Sequence, residues 1–246
     1  MFERSNSRPY DSLRPVTFER DFTTQALGSV LIGMGKTRVL CTASVEEDSP
    51  RWLRGTGKGW VTAEYSLLPG SSKERVAREA AKGKQSGRTQ EIQRLIARSL
   101  RAVCDLSLLN EKQIIVDCDV IEADGGTRTA SICGGFIALR DAISRMIESK
   151  QLHKDPILDT LAAVSVGIVD SEALLDLEYE EDSNAHVDMN VVMTGSSKFV
   201  ELQGTAEGAV FSDLELENLL KLAKKGIREI TLLQNNLLAT PAKRRS

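Results

Sequence analysis

The sequence is poor in the residues that several kinds of functional site require. Aromatic residues make up only 4% of the 246 residues, so a platform that stacks single-stranded bases is not expected. The four cysteines, at positions 41, 104, 118 and 133, have no Cys-x-x-Cys spacing, and there are only two histidines. A disulfide scaffold and a Cys/His zinc site are therefore not expected, and unpaired thiols are typical of the reducing cytoplasm.

Long apolar runs are missing as well. No stretch approaches the roughly 18 apolar residues of a membrane-spanning helix, and the segment Met1-Phe2-Glu3-Arg4-Ser5 lacks the apolar core of a secretory signal. The composition, 41% hydrophobic and 27% charged, is that of an ordinary globular protein. We therefore expect one cytoplasmic domain over residues 1–246, with flexible tails at about 1–13 and 240–246.

The charges are unevenly distributed, although the net charge is only −3. Residues 73–101 contain nine Lys or Arg and three Glu, whereas residues 170–188 contain eight Asp or Glu and no Lys or Arg. A local positive surplus can bind phosphates even in an acidic protein. Carboxylates without basic partners favour solvent or a divalent cation. Two ordinary solvated faces remain the simpler interpretation at this point.

The hydrophobic pattern predicts an α+β fold, with mixed sheets packed against helices in two related halves. Apolar residues at helical spacing predict a helix from Thr89, a second after Arg128, and a third that opens with the capping box Ser212 to Glu215. A hairpin turns at 34–36. Further strands are predicted near 60–65, 114–121, 161–169, 174–179, 187–193 and 199–203.

Two segments have the composition of anion-binding sites. Residues 124–128 read Asp-Gly-Gly-Thr-Arg and lead into a predicted helix, and residues 86–89 read Ser-Gly-Arg-Thr before another. Glycines let the backbone approach an anion, an arginine grips two oxygens, and a helix start offers free amides. One such turn is weak evidence. Two of them would place a phosphate between two positive helix ends.

The acidic segment supplies two further candidates. A strand–loop–strand connection would bring Asp182 and Asp188 to the same rim of a sheet. Two convergent carboxylates suit a hard divalent ion or a general acid with a raised pKa. A solvated loop is the competing interpretation.

Several longer segments of the sequence resemble those of the ribonuclease PH family of phosphorolytic 3′ exoribonucleases. They run in order from about residue 10 to 235 without large gaps. They comprise Arg14-Pro15 and residues 59–65, 86–96, 117–120, 123–131, 163–169, 188–192 and 201–208. The resemblance implies the fold of that family and a tRNA nucleotidyltransferase. Such an enzyme shortens tRNA precursors and other structured RNA 3′ ends with inorganic phosphate, releases nucleoside 5′-diphosphates, and in reverse adds nucleotides.

The same resemblance assigns roles to individual residues. Phosphate would be held by Arg88 and by the turn residues Gly126, Thr127 and Arg128. Asp182 and Asp188 would be the active-site carboxylates, associated with a divalent ion, usually Mg²⁺ (or Mn²⁺), or with proton delivery to the departing 3′ oxygen. No covalent intermediate is required, and neither histidine has an obvious serine partner.

The resemblance also implies an RNA-binding loop and an oligomeric assembly. The family's basic loop corresponds here to five cations, namely Lys73, Arg75, Arg78, Lys82 and Lys84. The chain departs from the family at Gly70, where an arginine is common, which would weaken tRNA affinity. It departs again at Val187, in place of threonine, which should leave Asp188 in place. A homohexamer built as a trimer of dimers is implied.

Two alternatives remain open from the sequence. A non-catalytic subunit of the same fold would bind RNA without cleaving it, but such a chain should lack the arginines or the carboxylates. A hydrolytic two-metal nuclease would not need Arg88 and Arg128 and would act without phosphate. Phosphate dependence separates both from a phosphorolytic enzyme.

Overall fold

The computed structural model describes residue 4, residues 7–207 and residues 210–242. The first sheet has five strands in the order β1 (Val16–Arg20), β2 (Gly28–Met34), β3 (Thr37–Glu46), β5 (Gln113–Glu122) and β4 (Trp60–Leu67). The pairs from β1 to β5 are antiparallel and β4 runs parallel to β5, so the sheet is mixed. The predicted hairpin is confirmed as β2–β3.

The second sheet has four antiparallel strands in the order β7 (Glu172–Leu175), β6 (Leu161–Val169), β8 (Val187–Thr194) and β9 (Phe199–Ala206). Three long helices accompany the sheets: α2 (Gly87–Ala102), α3 (Thr127–Glu148) and α5 (Asp213–Leu238). Two short helices, α1 (Glu79–Lys82) and α4 (Tyr179–Ser183), lie in connections. The expected α+β class and the three main helices are confirmed.

Helix α3 joins the two halves. It packs on β2, β3 and β5 of the first sheet and on β6 of the second, and 16 of its 22 residues are buried. Residues 129–139 are buried without interruption, so every side of this part of the helix faces the core rather than solvent. One continuous apolar cluster therefore contains residues from both sheets and all three long helices.

The helix caps agree with the sequence. The Ser212 hydroxyl accepts a hydrogen bond from the Glu215 amide, and the Glu215 carboxylate accepts one from the Ser212 amide. These two bonds complete the capping box of α5. At α2, the Ser86 hydroxyl accepts from the Thr89 amide. These local contacts begin each helix where the chain supplies a short polar side chain.

The structure differs from the sequence prediction over the segment 174–179. Strand β7 ends at Leu175 because Asp176 has a left-handed backbone with φ of +57°, which breaks the strand ladder. The chain then forms helix α4, which opens with a capping box between Glu178 and Glu181. The acidic connection is therefore a helical turn rather than an open loop.

The N-terminal segment was expected to be a flexible tail, but its described part is anchored. Arg4 is 5% exposed and forms an ion pair with Glu181, and Arg8 pairs with the same carboxylate. At the other end, α5 continues to Leu238, and residues 243–246 lie outside the described residues. No helix in the described ranges is both long enough and apolar enough to cross a membrane.

Candidate active site

Two helices begin at the same cleft, and each has an arginine at its second residue. Arg88 is the second residue of α2 and Arg128 the second residue of α3. Gly126 is the N-cap of α3 and no side chain among the described residues caps it, so the first amides of this 22-residue helix remain open to a ligand. Helix starts of this kind attract anions.

The turn that precedes α3 depends on two glycines. Gly125 and Gly126 have φ of +73° and +66°, values that favour glycine. A Cβ on Gly125 would lie 2.5 Å from the carbonyl oxygen of Leu177. The turn therefore sits directly against the segment that connects β7 to α4, and a side chain at Gly125 would separate the two.

The two predicted carboxylates come from this other side of the cleft. Asp182 lies on helix α4, rather than on the loop that the sequence predicted, and Asp188 is the second residue of β8. Asp188 is paired across the sheet with Gly167 of β6. The expectation that Asp182 and Asp188 meet at one rim is confirmed, although a helical turn brings Asp182 there.

All six residues predicted for catalysis and phosphate binding line one cleft of about 270 Å³. Arg88, Gly126, Thr127 and Arg128 line its positive side, and Asp182 and Asp188 its acidic side. Other cavities are larger, at about 730, 520, 480 and 410 Å³. The smaller cleft is the candidate active site, because it alone among these five gathers convergent cationic and anionic groups at two helix starts.

The acidic side of the cleft has perturbed protonation. Burial, followed by the charge of Asp182, raises the pKa of Asp188 to about 6, and Arg128 opposes this rise. The pKa of Asp182 is also raised, first by the protein atoms that displace water around it, while Arg128 and Arg88 lower it. Two neighbouring carboxylates with raised pKa values are suited to share a cation or a proton.

The two arginines differ in their surroundings. Arg88 is exposed and forms no ion pair with any described residue. Arg128 donates from Nη2 to Glu91 over 2.9 Å, and its Nε is buried without a partner in the described part of the chain. Gln203 donates to the other oxygen of Glu91 over 2.8 Å. Glu91 therefore orients Arg128 and leaves part of its guanidinium for a ligand.

Other polar side chains complete the cleft. The hydroxyls of Tyr65 and Thr127 are 2.9 Å apart, which fixes the Thr127 side chain. Tyr179, Ser165 and Asn190 also line the cleft. The sequence did not assign roles to these residues, although Tyr65, Ser165 and Asn190 lie within the segments that carried the resemblance.

The basic segment lies apart from this cleft. Lys73, Arg75, Arg78, Lys82 and Lys84 are all exposed. Lys73 lines a neighbouring cavity that includes Asp124 and Tyr179, whereas Arg78 and Lys84 line the cavity of about 730 Å³ beside Asp117 and Asp119. Burial raises the pKa of both of these aspartates. None of the five cations forms an ion pair within the described ranges, so all are available to an external polyanion.

The residues of the cleft fit a divalent cation only with help from a ligand. No group of three or more His, Cys, Asp or Glu that could hold a metal occurs among the described residues. Two carboxylates remain, Asp182 and Asp188. Magnesium is commonly held by one or two carboxylates together with water and substrate phosphates, so this pair fits an ion that binds with its substrate.

Comparison with known proteins gives consistent matches. Residues 12–144 match the model of the 3′ exoribonuclease family, domain 1, and residues 159–226 match domain 2 of that family. The chain is 58% identical to a curated protein named Ribonuclease PH from Bacillus subtilis (strain 168) over 236 residues, covering 96% of each chain. It is 57% identical to the protein of the same name from Bacillus velezensis, again covering 96% of each.

Solved structures share the fold at lower identity. Rice (Oryza sativa) Rrp46 superposes with a TM-score of 0.77 at 17% identity, covering 96% of this chain and 100% of that one. A chain of the Archaeoglobus fulgidus exosome with RNA bound to the active site superposes with a TM-score of 0.78 at 22% identity, covering 94% and 92%. At these identities the similarity concerns the fold alone.

Proposed function

The chain belongs to the ribonuclease PH family of phosphorolytic 3′ exoribonucleases that process tRNA, and we propose that its reaction takes place in the cleft between α2, α3 and α4. One observation carries this proposal. Two arginines at two helix starts face two carboxylates with raised pKa values across a single 270 Å³ cleft. This arrangement supplies a site for an anionic nucleophile beside a site for the departing group.

Inorganic phosphate is the nucleophile. Arg88 and Arg128 orient it and offset the repulsion between phosphate and the RNA backbone, and the open amides of α3 and the Thr127 hydroxyl supply further donors. A phosphate oxygen attacks the terminal phosphorus, and the bond from phosphorus to the 3′ oxygen breaks. The electron pair goes to that oxygen, which takes a proton, and a nucleoside 5′-diphosphate leaves.

Asp182 and Asp188 assist the departure of the 3′ oxygen. We propose that they hold Mg²⁺, or Mn²⁺ in its place, because two partly dehydrated carboxylates would otherwise repel one another. When bound, such an ion stabilises negative charge that develops on the phosphoryl group and the departing oxygen. The alternative, without a bound ion, is that protonated Asp188 acts as a general acid on the departing oxygen. With a pKa of about 6, it can deliver a proton near neutral pH.

The RNA body binds outside the cleft. We propose that the five exposed cations of residues 73–84 contact phosphates of the tRNA precursor or of another structured RNA, since no described acidic side chain pairs with them. Contacts of this type position the substrate without reading its sequence. The absence of an arginine at Gly70 reduces the number of such contacts by one.

We further propose that the enzyme works in the cytoplasm as a homohexamer, a trimer of dimers. All four cysteines are buried free thiols, which suits a reducing compartment. The fold is shared with chains of an Archaeoglobus fulgidus exosome and of an archaeal exosome core. Light scattering of the purified protein tests the assembly, and a mass of two, three or one chain instead of six would contradict it.

The decisive experiment is a product assay on a tRNA with a 3′ extension and magnesium, with and without inorganic phosphate. Nucleoside diphosphates that appear only with phosphate support the proposal. Monophosphates formed without phosphate would indicate a hydrolase. An absence of products, with RNA binding retained, would indicate a non-catalytic subunit. Repeating the assay with manganese and with a chelator tests the metal separately.

A further inference from the structure

The back of the phosphate-binding turn is held by a buried arginine from the N-terminal segment. Arg14 is 5% exposed. Its Nη1 donates to the carbonyl oxygen of Asp124, at the start of the turn, and its Nη2 lies 3.5 Å from the carbonyl oxygen of Gly125. Arg14 does not line the cleft itself, so these contacts act on the turn from behind.

The same guanidinium also binds Asp176, at the start of the segment that leads to Asp182 on the acidic side of the cleft. Arg14 pairs with both carboxylate oxygens of Asp176, from Nη2 over 2.7 Å and from Nε over 3.0 Å, and its own backbone amide donates to Asp176 over 2.8 Å. Asp176 is fully buried and begins the connection to α4. Bidentate pairs of this kind set orientation as well as distance.

The segment between Asp176 and Asp182 is held by close contacts, so a displacement of Asp176 would be transmitted to Asp182. Gly125 packs against the carbonyl of Leu177. Glu181, which precedes Asp182, is fully buried and accepts two hydrogen bonds from Arg4, over 2.7 and 2.9 Å. Neighbouring residues on a helix point about 100° apart. Anchoring Glu181 inward therefore leaves Asp182 facing the cleft.

A second side chain holds the turn from the first sheet. Thr37 at the start of β3 donates from its hydroxyl to the Gly125 carbonyl over 2.7 Å and accepts from the Asp124 amide over 2.9 Å. Thr37 is fully buried. The turn is thus attached to the N-terminal segment by Arg14 and to β3 by Thr37, although neither residue contacts the cleft.

We propose that Arg14, with Thr37 beside it, is a positioning residue that sets the distance between the phosphate-binding turn and Asp182. The proposal rests on the function assigned to the cleft above. Lysine at position 14 keeps a positive charge but cannot bond Asp176 and the Asp124 carbonyl in the same planar geometry. The turn then loses its alignment with α4, and the attacking phosphate loses its orientation.

The test compares Arg14→Lys with a matched control, Arg20→Lys. Arg20 forms a similar bidentate pair with the buried Asp141, over 2.6 and 2.9 Å. Asp141 lies 13 residues along α3 from Arg128, about 20 Å away at the rise of a helix. Both variants lose a bidentate buried pair, so both should lower the melting temperature, but only Arg14 adjoins the turn.

We expect Arg14→Lys to raise the KM for phosphate by about tenfold or more, because small displacements of a reactant are costly. The Kd for tRNA should stay within about twofold, since the basic segment is untouched. Arg20→Lys should leave the KM for phosphate unchanged. An equal KM in Arg14→Lys and the wild type, or an equal rise in both variants, would overturn the proposal.

Two further measurements keep the test decisive. If Arg14→Lys does not fold, Thr37→Val replaces it, because this change removes a hydroxyl and leaves no buried charge unpaired. Its KM for phosphate should rise as well, with Thr37→Ser restoring the wild-type value. An unchanged KM in Thr37→Val would overturn the proposal. A wild-type enzyme that needs no phosphate would instead refute the function of the cleft.

Discussion

Replacing Asp188 by asparagine should stabilise the protein while it abolishes turnover. The pKa of Asp188 rises from its ordinary value near 3.8 to about 6, chiefly through burial and next through the charge of Asp182. This rise corresponds to roughly 3 kcal/mol. The folded protein binds a proton at Asp188 more tightly than the unfolded chain does, so the side chain costs stability as the pH increases through this interval.

The expected gain in the free energy of unfolding therefore depends on pH. Asp188→Asn should increase the free energy of unfolding by up to about 3 kcal/mol at pH 8, where the carboxylate is ionised in both states, and by roughly half as much at pH 5. Urea unfolding of both proteins in the presence of a chelator, followed by circular dichroism at the two pH values, measures the difference without a contribution from a bound cation. The activity of the variant should fall below detection, with tRNA binding retained.

A matched control is Asp170→Asn. Asp170 is exposed in the turn between β6 and β7, and its substitution should change the free energy of unfolding by less than about 0.5 kcal/mol at either pH. A loss of stability in Asp188→Asn at pH 8, or a gain that does not vary with pH, would refute the reasoning. Retained turnover would remove Asp188 from the mechanism.

Three further predictions concern the rest of the site. Arg88→Ala should raise the KM for phosphate far more than the Kd for tRNA, which steady-state kinetics and filter binding compare directly; an unchanged phosphate dependence would contradict the assigned role. Replacing Arg75 and Arg78 together by alanine should reduce the slope of log K against log salt for tRNA binding by about 1.4 to 1.8, and an unaltered slope would place the tRNA elsewhere. Gly125→Ala should lower both stability and activity, because φ is +73° and the new Cβ would lie 2.5 Å from the Leu177 carbonyl oxygen; a melting temperature equal to that of the wild type would show that the turn can move freely.

The local features of the fold could be predicted from the sequence. The start of α5 follows from Ser212 and Glu215, and the buried face of β5 from the alternation of residues 114–120. The prediction failed at residues 174–179, because the left-handed backbone of Asp176 is stabilised by contacts with Arg14 rather than by its sequence neighbours.

The candidate site likewise has features that the sequence predicted and features that only the structure shows. Composition at residues 86–89 and 124–128 already indicated two anion-binding helix starts, since an arginine and small residues before a helix are local chemistry. The pairing of Asp182 with Asp188 came from the family resemblance and from their proximity in the chain. That all six residues share one cleft could only be seen once α3 was packed between the two sheets.

The sequence by itself determined the class of the fold, the helix starts and the residue types proposed to bind phosphate, because periodicity and capping act over a few residues. Only the tertiary structure decided how those residues are held. Arg14 meets Asp176 across 162 residues of chain, and Thr37 meets the Asp124 amide across 87. Such contacts depend on the packing of the two halves around α3, and no spacing within the sequence encodes them.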